Sequence, residues 1–197
     1  MKKIKFEPFL EGQKVDLVIL NKNIAKNSDW YSWFNHKRNT ELLQLGAFPN
    51  SREKQLEYFN SHVVKKNNLK KKISDNMKIQ LGIVTKENNQ LIGMVTLLNF
   101  DYFNRCCGIS LIMDLRKKIP NRLEIFKESQ DMIIDHAFNK MNFRRIYTTA
   151  FSDNLCKLTE RLWGFKREGT LREHQFSNGK YVDSYLLGLL RSEWNKK

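Results

Sequence analysis

"NFRRIYTTAFSDNLCKLTERLWGFKREGTLREHQFSNGKYVDSYLLGLLRSEW", residues 142–194, decides how this chain folds. Its first part, "RRIYTTAF" (144–151), is β-branched and aromatic and predicts a strand. "DNLCKLTERLWGF" (153–165) then predicts a helix closed by Gly164. Asn178-Gly179 follows between two runs rich in aromatic, hydroxyl and branched residues, a strong signal for a two-residue hairpin. The segment therefore reads strand, helix, hairpin.

Outward from it, Asn121 with Glu124 three residues later resembles a capping box. Leu123, Phe126, Gln130, Ile133, Ala137 and Met141 then recur at helical spacing, which predicts a long helix packed on a sheet. Three strands in a row are expected at 77–85, 91–100 and 106–114, joined by short turns as an antiparallel meander. Further back, 14–20 alternates as a strand. "SDWYSWFNHKR" (28–38) predicts a short helix capped by Ser28 or Asp29, and 51–66 a second one capped by Ser51. The expected order is β-α-α-β-β-β-α-β-α-β-β, an α/β (α+β) fold with a mixed, mostly antiparallel sheet flanked by helices. No repeat of 20 to 50 residues interrupts it.

With 197 residues, 41% of them hydrophobic, one domain over 1–197 is expected. Glu7, Pro8 and Glu11 break the start before any apolar run develops, and no segment reaches membrane-spanning length, so a cytoplasmic protein with no membrane partner is expected. Cys106, Cys107 and Cys156 are odd in number and lack metal-ligand spacing. They read as reduced packing thiols, with no metal site. The formal charge of +14 suits a polyanionic ligand, nucleic acid or small phosphates. Much of the excess sits in a Lys/Asn-rich connector (63–76), so nucleic acid is the less expected partner.

The order of elements, the 142–194 segment with "GFKREGTLRE", and "WYSWFNHKRNTELLQLGAFPNSREKQLEYF" together resemble the GNAT acyltransferases. The resemblance is to the branch holding ribosomal-protein and amino-sugar N-acetyltransferases, and it runs over roughly residues 14–194. It implies transfer of an acetyl group from acetyl-CoA, as co-substrate, to an amine, by a monomer or homodimer. The splayed strand of such enzymes maps to "GISLIMD", where backbone groups of Leu111, Ile112 and Met113 would hold pantetheine and thioester. The glycine-rich pyrophosphate loop of the family is here "LRKKIPNRLEIFKES", with no glycine from 115 to 129. Arg116, Lys117, Lys118 and Arg122 would supply charge in place of the backbone cradle, or form a plain basic surface loop. Asn154 matches a residue that touches pantetheine or caps the helix, and Lys157 and Arg161 would reach the 3'-phosphate or face solvent. The family's early carboxylate falls at or near Cys106 and its helix tyrosine near Thr159 or Glu160, so neither role carries over.

For the acceptor, the resemblance points to Trp33, His36 and Arg38 beside the first helix and to Glu173 and Tyr185 on the terminal hairpin. Asp101 and Tyr102 approach from another wall. Glu41 and His174 are the candidate bases; a histidine titrates in the useful range. Two function classes follow. One is an N-acetyltransferase acting on a small amine, foremost a nucleotide-linked amino sugar, with a ribosomal-protein or antibiotic amine as alternatives. The other is a catalytically inactive GNAT-like module that binds RNA or another partner.

Overall fold

The computed structural model describes residues 4–40, 48–64 and 77–194. Eight strands form one sheet: β1 (Pro8–Glu11), β2 (Val15–Ile19), β3 (Ile79–Thr85), β4 (Gln90–Asp101), β5 (Cys106–Met113), β6 (Arg145–Ala150), β7 (Lys166–Ser177) and β8 (Lys180–Leu190). Their order across the sheet is β1-β2-β3-β4-β5-β6-β8-β7. Every neighbouring pair is antiparallel except β5 with β6. The meander expected at 77–114 is present, because short polar turns can join only antiparallel neighbours. β1 is an addition that the sequence reading missed.

Before the meander lie four helical stretches, α1 (Lys22–Asn27), α2 (Trp30–Trp33), α3 (Lys37–Thr40) and α4 (Arg52–Tyr58), the last continuing in wider turns through Phe59–Val64. One helix was expected over 28–38. The chain instead makes two single turns there, separated at 34–36, and α1 precedes them, started by Asn21 Oδ1 accepting from the Ile24 amide at 2.9 Å. Ser51 caps α4 as expected, its hydroxyl accepting from the Lys54 amide. The basic connector falls mostly on 65–76, outside the described residues.

α5 (Arg122–Asp135, continued over His136–Lys140) crosses from β5 to β6, and α6 (Asp153–Trp163) from β6 towards the hairpin; α7 (Arg191–Trp194) closes the described chain. The expected capping box at Asn121 is not formed. Asn121 takes the left-handed conformation (φ 52°), away from the extended backbone of a capping residue, and its side chain caps nothing. Ser152 caps α6 and Gly164, at φ 77°, ends it. Asn178 (φ 49°) and Gly179 (φ 79°) sit at positive φ between paired Ser177 and Lys180, the two-residue turn read from the sequence.

Alternate side chains of the central strands supply two cores. Val15, Leu17, Leu81, Ile83, Leu97 and Ile109 face Ile133, Ile134, Ala137 and Trp163 of α5 and α6. Val18, Leu20, Val84, Leu91 and Met94 face Ile24, Trp30, Trp33, Phe59 and Val63 of the N-terminal helices. Burial of β3 and β4 on both sides explains their nearly continuous apolar sequence. No helix among the described residues is long and apolar enough to cross a membrane.

Candidate active site

The parallel pairing of β5 with β6 lasts for three positions, Cys106–Arg145, Cys107–Ile146 and Gly108–Tyr147, and then stops. Beyond Gly108, β5 stays registered on β4 through Met113. β6 stays registered on β8 through Ala150. The two strands therefore diverge, and a cleft of about 850 Å³ opens between them. Its walls are mainly apolar: Leu98, Leu111 and Met113 from the β4–β5 side, Leu123 and Phe126 from α5, Leu155 and Leu158 from α6.

Strand alternation fixes which backbone groups face this gap. The Arg105 carbonyl accepts from the Arg144 amide on the β6 side, and the Asp114 amide donates to the Ile92 carbonyl on the β4 side. Odd positions of β5 thus address β6 and even positions address β4. Leu111 and Met113 turn their N–H and C=O into the gap, where no strand stands opposite, while Ile112 is spent on Met94. Unpaired backbone groups inside an apolar wall are costly unless a ligand or water meets them.

Polar groups sit along the rim: Asn39, Asn99, Ser110, Gln130, Tyr147, Thr148 and Thr149. Asn99 (φ 53°) belongs to a bulge between Leu98 and Asp101 that shifts the β4–β5 register. Gly108 lets the Tyr147 ring close over the apex, since a Cβ there would meet Tyr147 Cε2 at 3.3 Å. Cys107, beside the apex, is buried in the core, which pushes its thiol up to about 12, and it is not part of the lining.

Below the cleft mouth, the loop after β5 is held by a buried carboxylate. Asp114, 1% exposed, accepts from Asn39 Nδ2 (2.9 Å), Arg116 Nε (2.7 Å) and Arg116 Nη2 (2.8 Å). Burial pushes its pKa up, but hydrogen bonds from Arg116 and Asn39 and the Arg116 charge outweigh that, leaving it below the ordinary carboxylate range. Arg116 Nη2 also donates to Ser32 Oγ at 3.0 Å. Lys117 Nζ donates to the Leu91 carbonyl (2.6 Å) and pairs with Asp29 (3.1 Å).

A family model described as an acetyltransferase (GNAT) domain matches residues 23–186. The chain belongs to the GNAT acetyltransferase family. Among its relatives, the SPbeta prophage-derived N-acetyltransferase YokL of Bacillus subtilis is 30% identical over 115 residues, 57% of this chain and 62% of that protein. The N-acetyltransferase p20 of Bacillus licheniformis is 27% identical over 117 residues, 58% of this chain and 64% of that one. The match spans just under two thirds of the length of these curated relatives. Among solved structures, the spermidine N-acetyltransferase of Vibrio cholerae, in complex with CoA and spermine, superimposes with a TM-score of 0.74 at 21% identity, covering 92% of this chain and 98% of that one. A GNAT-family acetyltransferase of Bacillus anthracis gives 0.69 at 14%, covering 96% and 100%. At such identities the likeness concerns the fold, which is the one the sequence reading expected.

Within this GNAT domain the residues singled out from the sequence fall in different places. Leu111, Ile112, Met113 and Arg122 all line the cleft. Arg116 and Lys117 do not offer their charge to it, being committed to Asp114 and Asp29. Arg122 donates to the Lys117 carbonyl while bordering the cleft. Lys118 lines a separate, smaller cavity with Lys14, Lys86 and Asn121. Asn154 is exposed and is not the cap, which is Ser152. Lys157 pairs with Asp153 at 2.7 Å and stays outside the lining.

On the acceptor side the corrections are larger. Trp33 is fully buried among the N-terminal helices, so its aromatic surface is core and cannot touch an acceptor. His36 and Arg38 are exposed and absent from the lining; Asn39, which follows Arg38, is buried and reaches it, though nothing in the sequence pattern singles it out. Glu173 and His174 line a shallow depression on the hairpin with Asp183, apart from the cleft; the Glu173 amide donates to Asp183 and His174 Nδ1 lies 3.1 Å from Ser184 Oγ. A bulge between Leu171 and Gln175 turns them there. Tyr185 packs under the Arg167 guanidinium and against the α5–α6 core. Asp101 is tied to Asn104 (2.8 Å). Glu41 lies outside the described residues. No cluster of His, Cys, Asp or Glu that could hold a metal occurs among the described residues.

Proposed function

We propose that this chain is an acetyl-CoA-dependent N-acetyltransferase acting on a small amine, with a nucleotide-linked amino sugar as acceptor. The observation that carries the reading is the gap between β5 and β6. An apolar channel with unpaired backbone donors at Leu111 and Met113 fits a pantetheine arm, whose apolar methylene and methyl groups alternate with amides. Acetyl-CoA supplies an already activated acyl group. The protein's part is to hold the thioester carbonyl on the β5 amides and orient the amine against it. Arg122, at the start of α5, is the basic residue of the lining and would meet phosphate there, aided by the positive end of that helix.

The acceptor assignment rests on charge. No Asp, Glu or His occurs among the described residues of the cleft lining, so nothing there would neutralise a polyamine. A net charge of +14 favours an acceptor that carries phosphate. Without a side-chain base in that lining, the amine gives its proton to solvent, and positioning and carbonyl polarisation favour its attack.

Calorimetry with acetyl-CoA and with dephospho-CoA at two salt concentrations tests the first half. Binding is expected, weaker without the 3'-phosphate and at high salt. No binding would overturn the reading and leave a non-catalytic GNAT-like module. Given binding, acetylation assays across nucleotide amino sugars, ribosomal-protein N-terminal peptides, aminoglycosides and spermidine test the second. The highest kcat/KM is expected for the nucleotide amino sugars, and a preference for spermidine would overturn the acceptor assignment.

A further inference from the structure

We propose that the Tyr147 hydroxyl is the proton donor to the departing thiolate of CoA. The inference rests on the acetyl-transfer reading above and adds to it the residue that completes the reaction.

The chemistry needs such a donor. The amine nitrogen attacks the acetyl carbonyl carbon, the C–N bond forms, and the carbonyl electron pair moves onto oxygen. As that pair returns, the C–S bond breaks and its electrons leave on sulfur. A proton delivered to sulfur at that moment prevents the thiolate from re-adding. The donor is afterwards re-protonated, through solvent, by the proton the amine gave up, so nothing beyond the two substrates is consumed.

The helix position at which the family places its tyrosine offers no such proton here. Thr159 Oγ1 donates to the Leu155 carbonyl at 2.8 Å inside α6. Glu160 is outside the cleft lining and faces Arg167. Of the other protic groups in the lining, Asn39 is spent on Trp33, Asp114 and Leu115. Arg122 is held by the Lys117 carbonyl. Ser110, Thr148 and Thr149 are alcohols, far weaker acids than a phenol.

Tyr147 stands at the right point of the gap. It occupies the last paired position of β6, opposite Gly108, so its ring lies where the strands part. Ile146 and Ala150 are buried in the α5–α6 core, so alternation puts Tyr147 and Thr149 on the other face, that of the N-terminal helices. Leu111 of β5, whose amide addresses the same gap, lies three residues beyond Gly108. The Tyr147 hydroxyl makes no hydrogen bond among the described residues, so it is uncommitted before substrate arrives.

Tyr147→Phe tests this by binding and by turnover. By calorimetry the wild type is expected to bind CoA about tenfold more tightly than desulfo-CoA, which lacks the sulfur, and the variant to show no such preference. Thiol release from acetyl-CoA, with hydroxylamine as the amine, is expected to fall about 100-fold in kcat. Affinity for acetyl-CoA and thermal stability should stay unchanged, because the removed hydroxyl holds nothing among the described residues. A wild type that binds neither CoA nor acetyl-CoA would overturn the acetyl-transfer reading itself. A wild type that binds both but treats CoA and desulfo-CoA alike, or a variant with kcat within threefold of wild type, would overturn the role of Tyr147 alone.

Discussion

Leu158→Trp is expected to weaken acetyl-CoA binding on the order of a hundredfold, about 2.7 kcal/mol, while the protein stays folded. Leu158 is half-buried on α6 and lines the cleft. It is not among the side chains of the α5–α6 core, so enlarging it presses on the gap rather than on packed interior. An indole there would occupy the space along which a pantetheine arm must lie between β5 and β6. Overpacking is tolerated where a side chain can swing into open volume, and the open volume that Leu158 lines is the cleft itself. Calorimetry with acetyl-CoA reads the loss, and circular dichroism confirms the fold. Unchanged affinity would mean that the cofactor does not use this gap.

Asp114→Ala is expected to destabilise the protein by about 3 kcal/mol, a fall of roughly 10 °C in Tm for a chain of this size. The carboxylate is 1% exposed and accepts from both Asn39 and Arg116. Removing it leaves Arg116 beside a desolvated space and frees the loop that links β5 to α5. Asp114→Asn should cost less, since an amide still accepts from Arg116. The sign of the pH effect follows from the lowered pKa of Asp114. The folded state holds its proton less tightly than the unfolded chain does, so this stability is fully present above the ordinary carboxylate range. It is lost as pH falls through that range to the folded value. Thermal melts from neutral pH into acid should therefore decline less steeply for Asp114→Asn than for the wild type. Parallel declines would mean that the pair contributes nothing.

The element order was legible because its punctuation is local: Asn178-Gly179, Gly164 and Ser51 each fix a turn, an end or a start with their own backbone or side chain. Leu111 and Met113 could be named for the gap because a strand's backbone role survives any choice of side chain. The acceptor wall was not legible. Trp33 reads the same whether the apolar side of its short helix meets core or ligand, and only packing against Val18 and Met94 decides. Nor could Lys117 be known to be spent, since its partner Asp29 is remote in sequence. Tyr147 was hidden inside a strand pattern that predicts burial equally for all its members.

The halted ladder between β5 and β6 leaves a signature in time as well as in space. Along β5, Ser110 and Ile112 sit on the β4 ladder, whereas Leu111 and Met113 have no strand to donate to. Amide hydrogens of one strand should therefore exchange with deuterated solvent at alternating rates, slow at 110 and 112, fast at 111 and 113. Saturating acetyl-CoA should erase the alternation, because the molecule would sit as the missing strand and close the seam between two half-sheets.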